Sequence, residues 1–499
     1  MYKFYCILLS AVVPFISGID YRIESDSLGT VQVPRDRYYG AQTQRALGNF
    51  AIGIERFPRE FIRAYGIVKK AAAIVNNAYG YLPDTITPAI ITACDEVISG
   101  KLDDHFPVVI WQAAGTQSNM NTNEVIANRA IELLGGEMGT KNPVHPNDHV
   151  NMGQSTNDTF PAAGAIAVVE TTVNKLIPAL HYFKNALEKK ANEFESIIKI
   201  GRTHLQDAVP MSLGQEFACF ASQISHGIRQ LERALPHCYE LPIGGTAVGT
   251  GITTYAGFDQ AAVREINEMT QLPFVVAENK FEGIAAHDGL VELSGALKVI
   301  AVSFAKIVND IRLLASGPRA GIGEILLPKN EPGSSIMPGK INPTQSDAAT
   351  MVCARIIGND LSVAWLGAHG HLQLNVCGPL MTFATLQSIS LLTDLCYSFA
   401  NKAIIGITPN DARIKQHLEN SLMIVTAIVP RIGYDKAATA ALKAWNENKT
   451  LKEALAELGY MTAAEFDQSI NYQDMIQPKL GSRSQGPADF IYLTDDEIN

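Results

Sequence analysis

A single apolar stripe restricts this chain more than any other feature. Leu290, Leu293, Leu297, Ile300, Phe304, Ile307, Ile311 and Leu314 follow one another at strictly alternating intervals of three and four residues. That interval puts them on one face of an α-helix, and its average near 3.5 suits helices that pack at a shallow crossing angle. Gly317 and Pro318 then close the helix, because glycine tolerates the left-handed conformation of a helix end and proline cannot continue the ladder. A second stripe runs through Val169, Val173, Leu176, Leu180, Phe183, Leu187, Ala191, Phe194 and Ile198, with Pro178 inside it as an expected bend. Further helical patterns over 214–235, 345–366 and 379–403 bring the number of long helices to five. Rods of this length reach roughly 40 Å and seldom hide all their apolar surface within one chain. The spacing therefore predicts a mainly α chain, built on a central bundle of five long helices that assembles with further copies.

Five segments follow from this reading: an apolar extension over 1–18, a mixed, loop-rich domain over 19–154, the bundle over 155–410, a small helical domain over 411–480 and a loosely ordered tail over 481–499. The extension, with one lysine, an apolar run from Phe4 to Ile16 and then Ser17 and Gly18, has the outline of a weak signal peptide and is too short to cross a bilayer. It is read as an extension of a protein that stays in the cytoplasm, with no membrane partner. The seven cysteines support that reading: they are odd in number, widely scattered and without a C-x-x-C pair, as expected of free thiols in a reducing compartment. With 47% hydrophobic and 18% charged residues the chain is not disordered. Forty basic against 50 acidic side chains, with no run of like charge, exclude a dedicated nucleic-acid binder. No ligand spacing for a metal and no G-x-G-x-x-G turn is present, so neither metal nor organic cofactor is expected.

Four polar segments between the helices are hard to explain as packing. Gly115 to Glu124 (GTQSNMNTNE) carries far more hydrogen-bonding side chains than a turn requires. His145-Pro146-Asn147-Asp148 is followed by Gln154-Ser155-Thr156-Asn157-Asp158 at the expected start of the first long helix, where hydroxyls and amide protons make an anion site or, equally, a multiple helix cap. Gly201 to Asp207 (GRTHLQD) is placed where that helix ends, and its His204 is a candidate acid or base, although a lone loop histidine is usually a plain surface residue or a satisfied hydrogen-bond donor. Gly333 to Pro343 sets Ser334, Ser335, Lys340 and Asn342 among glycines and prolines, the composition of a loop that closes over a ligand and leads into a helix. It lacks the spacing of a phosphate-cradling P-loop.

The string GSSIMPGKINP resembles the signature of the fumarase/aspartase superfamily. GTQSNMN, GRTHLQDA, GGTAVGTG (Gly244 to Gly251) and NKFE (Asn279 to Glu282) resemble its class II fumarases, in the right order from about Tyr21 to Leu480. The resemblance implies reversible trans addition of water to fumarate giving L-malate, without metal, in a homotetramer whose active sites are shared between subunits. It implies Ser334 as the base for the carbon-bound proton and His204 as the group that handles water or hydroxyl, supported by the carboxylate of Asp347. Gly115, Thr116, Ser155, Thr156, Asn157, Thr203, Ser335, Lys340 and Asn342 would surround the dicarboxylate, and His145, Asn147 and Asp148 would form a second dicarboxylate site.

The chain departs from the class II pattern at particular positions. QSTND and LQLNV (Leu372 to Val376) are closer to aspartases, Ala114 stands where the fumarase loop has serine, and Asp347 stands where fumarases have the longer glutamate. An L-aspartate ammonia-lyase is accordingly the alternative reading, and a catalytically silent scaffold on the same bundle a second. Retention of Ser334, His204, Lys340 and Asn342 together speaks against the scaffold.

Overall fold

The computed structural model describes residues 20–478. The apolar extension, with Cys6, and the tail expected from Gly481 lie outside the described residues. The chain opens with an antiparallel hairpin, β1 (Tyr21–Asp26) and β2 (Gly29–Pro34), in register from Tyr21 opposite Pro34 to Asp26 opposite Gly29. Four helices follow: α1 (Ala41–Asn49), α2 (Arg59–Ala78), α3 (Thr87–Ser99) and α4 (Thr116–Leu133). The region expected to be built around loops is thus largely helical. α4 carries polar and small residues on its buried face, so the apolar periodicity that betrays a helix is weak there.

The long helices stand where the stripes lie. α5 (Thr156–Thr171) passes through a π-helical turn, Thr172–Leu176, into α6 (Ile177–Glu193). The turn falls directly before Pro178, whose ring clashes with the preceding turn and whose nitrogen has no proton to donate, so the ladder breaks where the proline demands it. The helix then stops short of the last stripe residue. Ile198 begins strand β3 (Ile198–Thr203), paired with β4 (Gln206–Ser212), because Ile198 and Ile200 on alternate positions with β-branched stiffness favour an extended chain. α7 (Leu213–Cys238), α8 (Phe258–Thr270), α9 (Lys280–Ala285), α10 (Asp288–Leu314), α11 (Thr344–Gly367) and α12 (Gly378–Phe399) complete the set before the C-terminal helices.

By its contacts the described chain divides into two compact units. The first comprises residues 20–183, 223–308 and 344–399. In its bundle Phe183, Phe304 and Phe399 form a ring cluster, with Phe183 and Phe304 stacked at 4.5 Å. Leu293, Leu297, Ile300 and Phe304 are buried to within 1% of complete enclosure, each contributing roughly 2–3 kcal/mol of hydrophobic stabilisation. Glycines let the rods approach: a methyl group at Gly164 would lie 2.9 Å from Thr382, and one at Gly227 2.8 Å from Ile300.

The second unit comprises residues 184–222, 309–343 and 400–478. Its core gathers Ile200 of β3 with Ile424, Val425, Ile428, Ala440 and Leu455. Around it stand α13 (Asp411–Asn420), α14 (Val429–Ile432), α15 (Tyr434–Asn446), α16 (Leu451–Glu457) and α17 (Ala463–Ser469). Thr450 and Thr462 start α16 and α17 through reciprocal capping boxes with Glu453 and Glu465.

Candidate functional site

In the first unit the segment Gln154–Asn157 forms the N-terminus of α5. Ser155 is its cap: its hydroxyl accepts from the backbone N–H of Asn157 at 3.3 Å, while its own N–H donates to Asp158 at 2.9 Å, completing a capping box. The helix-cap reading describes the geometry of this segment. Asp158 is wholly buried, and its second oxygen accepts the N–H groups of Gly244 and Thr246, both at 3.0 Å. Burial raises its pKa to about 6, against the pull of those three amide donors and of Lys69. Asn157 reaches the carbonyl of Ala247 at 2.8 Å, and Thr156 accepts from the side-chain amide of Asn119 at 3.0 Å. The GGTAVGTG segment is therefore tied to the same helix end.

The segment GTQSNMNTNE is not a loop. Gly115 holds the left-handed turn (φ +86°) immediately before α4, where a methyl group would strike the Phe160 ring at 1.9 Å, and Thr116 is the exposed first residue of the helix. Ser118 to Glu124 are buried, and much of their polarity is structural. Glu124 caps α1 by accepting from the N–H groups of Gly40, Gln42 and Thr43, and Asn121 holds the carbonyl of His105. A buried polar helix offers no apolar period, which is why its sequence reads as a loop.

His145, Asn147 and Asp148 come together in one short turn. The His145 Nδ1 accepts the N–H groups of Asn147 and Asp148, both at 3.1 Å, so that nitrogen is unprotonated. Burial lowers the pKa of His145 and of its neighbour His149. Asp347 lies exposed in the first turn of α11.

In the second unit Thr203 and His204 stand at the tip of the β3–β4 hairpin, correcting the expectation of a plain helix-to-helix loop. His204 and Leu205 both occupy the left-handed region, φ +56° and +61°, where hairpins ordinarily use Asn-Gly. Non-glycine residues held there store strain of about 1–3 kcal/mol each and concentrate at functional sites. A cleft of about 860 Å³ opens beside the turn, lined by Leu205, Gln206, Asp207, Ser421 and Trp445 among others. Arg202, next in sequence to Thr203, donates to the fully buried Glu324 at 2.6 Å. His417 lies 2.8 Å from the same carboxylate and Lys199 3.3 Å. Burial works to raise the Glu324 pKa, but Arg202, Lys199 and His417 outweigh it and hold it below the ordinary glutamate range. Sequence reasoning missed this anchor; Arg202 inside GRTHLQD was a signal, whereas nothing local marks Glu324.

The third cluster is the loop Gly333–Pro343. The Gly333 N–H donates to the Lys340 carbonyl at 2.9 Å, and the Asn342 side chain donates back to the Gly333 carbonyl, closing the loop. A methyl group at Gly333 would sit 2.6 Å from the Lys340 carbonyl oxygen, so glycine is required for that closure. Within the loop the Ser334 hydroxyl oxygen accepts two backbone N–H groups, from Ile336 at 3.3 Å and Met337 at 3.0 Å. Ser335 and Lys340 are exposed, as is Ile336 at 82%. Among the described residues no group of three or more His, Cys, Asp or Glu side chains is arranged to hold a metal ion, and the six described cysteines are free thiols.

Comparison with known proteins accounts for these segments as a set. The Lyase family matches residues 29–358, and the family described as the Fumarase C C-terminus matches residues 424–477. The mitochondrial fumarate hydratase of Rhizopus oryzae is 55% identical over 462 residues, covering 92% of this chain and 93% of its own. The class II fumarate hydratase of Thermosynechococcus vestitus is 55% identical over 461 residues, covering 92% and 99%. A crystal structure of recombinant class II fumarase from Schistosoma mansoni superposes with a TM-score of 0.89 at 42% identity, covering 91% of this chain and 99% of that one. With family patterns spanning most of its length and relatives this similar over nearly all of it, the chain belongs to the class II fumarases, hydro-lyases of the fumarase/aspartase superfamily.

Proposed function

We propose that this chain is a fumarate hydratase, adding water trans across fumarate to give L-malate, with Ser334 as the base for the carbon-bound proton. The observation that carries the assignment is the pair of amide N–H groups already directed at the Ser334 oxygen. A free serine is far too weak a base. Two amide donors and the nearby Lys340 stabilise its alkoxide, in a loop closed on itself by Gly333 and Asn342. In the dehydration direction the Ser334 oxygen takes the proton from the carbon next to a carboxylate, leaving a doubly charged aci-carboxylate. The electron pair then forms the double bond as hydroxide departs, protonated to water by way of His204. Because the intermediate adds charge to a substrate that is already a dianion, electrostatic stabilisation is the dominant requirement. Lys340 and Asn342 are assigned to one carboxylate. Gly115, Thr116, Ser155, Thr156, Asn157, Thr203 and Ser335 are assigned to the rest, Asp347 to the support of His204, and His145, Asn147 and Asp148 to a second dicarboxylate site.

A homotetramer is part of the proposal. Met351, Ile357, Leu361 and Trp365 on α11 are 40–71% exposed, an apolar face that further copies of the chain would cover. Relatives bear both mitochondrial and bacterial names. Free thiols suit any reducing compartment, of which we propose the cytoplasm. Offering L-malate and L-aspartate separately to the purified chain, without added metal, tests the reaction through the ultraviolet absorbance of fumarate. A rise with malate alone is expected. A rise with aspartate alone would assign the chain to the ammonia-lyases, with Thr156 and Gln373 as the discriminating residues, and silence with both would leave a scaffold.

A further inference from the structure

Lys69 is the most unusual cation of the first unit. It lies in the middle of α2, fully enclosed, where lysine is among the rarest of residues. Its ammonium donates to two acceptors, Asn151 Oδ1 at 2.9 Å and Gln154 Oε1 at 3.0 Å. Both are neutral amides, whereas buried charges are ordinarily paired with an opposite charge. The carboxylate of Asp158 is committed elsewhere, to the N–H groups of Ser155, Gly244 and Thr246.

The two acceptors of Lys69 lead directly to the proposed substrate-gripping residues. Asn151 Oδ1 also accepts from Asn119 and Asn123, each at 3.1 Å. The other proton of the Asn119 amide goes to Thr156 Oγ1 at 3.0 Å, which leaves the Thr156 hydroxyl proton for another acceptor. Gln154, the second acceptor, immediately precedes Ser155. We infer that Lys69 is a positioning residue for the dicarboxylate: through Asn151 and Gln154 it fixes the Ser155–Asn157 turn, and its charge is answered by the bound dianion. This inference rests on the proposed function of that turn. Burial lowers the Lys69 pKa to about 7, opposed by the carboxylate of Asp158 on α5.

Two variants of the full-length chain test this. Lys69→Met removes the charge while filling its volume, and Asn151→Asp places a carboxylate against the ammonium and cancels the charge without emptying the site. Each is expected to raise the KM for malate and the dissociation constant of succinate, an unreactive dicarboxylate, by about tenfold, with kcat within about twofold. Lys69→Met is also expected to melt no lower than the parent, because an apolar side chain replaces an unpaired buried charge. Weaker dicarboxylate binding in a chain of undiminished stability is a split that a merely structural lysine would not give. If Lys69→Met fails to fold, Asn151→Asp decides alone. Parent-like KM and succinate binding in the folded variants would overturn the role of Lys69 and leave the proposed reaction standing. A parent that neither converts malate nor binds succinate would overturn the reaction and the inference together.

Discussion

The N-terminus of α5 and the loop around Ser334 carry the same kind of side chains and are built in opposite ways. At α5 each gripping residue is held by groups that are themselves held: Thr156 by Asn119, Asn119 by Asn151, Asn151 by Lys69, and the whole turn by Asp158. Around Ser334 the order is local, made of the loop's own amides and carbonyls, with Ser335, Ile336 and Lys340 open to solvent. The first, proposed as the anion seat, is preorganised, and its geometry depends on distant packing. The second is a self-contained turn that presents the oxygen proposed as the base and needs little from the core. Binding strength should therefore respond to substitutions far from α5, whereas turnover should respond to changes within the loop.

Asp158→Asn is the strongest way to break this contrast. It places an amide donor against backbone N–H groups and should lower stability by about 3 kcal/mol, read from denaturant unfolding; unchanged stability would mean that the α5 end is not held as described. Gly333→Ala attacks the other side. The methyl group collides with the Lys340 carbonyl, so turnover should fall by about a hundredfold, some 2.7 kcal/mol, with little change in melting temperature. Parent-like turnover would show that loop closure does not matter.

The pH dependence of stability sharpens the comparison further. With a folded-state pKa near 7 against about 10.4 unfolded, Lys69 loses its proton in the native state first. Its contribution is constant below pH 7 and rises in favour of the native state between pH 7 and about 10, because the unfolded chain binds the extra proton. Lys69→Met should abolish that rise, as followed by denaturant midpoints across the range. The smallest effect is expected of Ser334→Ala, whose half-exposed side chain should change folding stability by less than about 0.5 kcal/mol.

Sequence alone revealed the rods and the Ser334 loop because each writes a local pattern: the three-four stripe ending at Gly317 and Pro318, the capping residues of Ser155 to Asp158, and GSSIMPGKINP. It failed where burial contradicts composition. Asn119 and Asn123 look like loop residues because nothing local shows Asn151, whose side-chain oxygen accepts from both of them inside the fold. Lys69 reads as one more surface charge on an amphipathic helix, and Glu324 as part of a glycine-rich connection. The start of β3 reads as the end of the preceding helix because Ile198 happens to continue its spacing. The buried polar misses share one cause: each group's partner is remote in sequence, and pattern reasoning sees only neighbours.

The central claim is that the oxygen of Ser334 takes the proton while other residues hold the dicarboxylate. Its most direct test compares malate dehydration and succinate binding in the parent and in Ser334→Ala. The account predicts that turnover falls by at least about a thousandfold while succinate binds within about twofold of the parent and the assembly keeps its size. Near-normal turnover in the variant would contradict it.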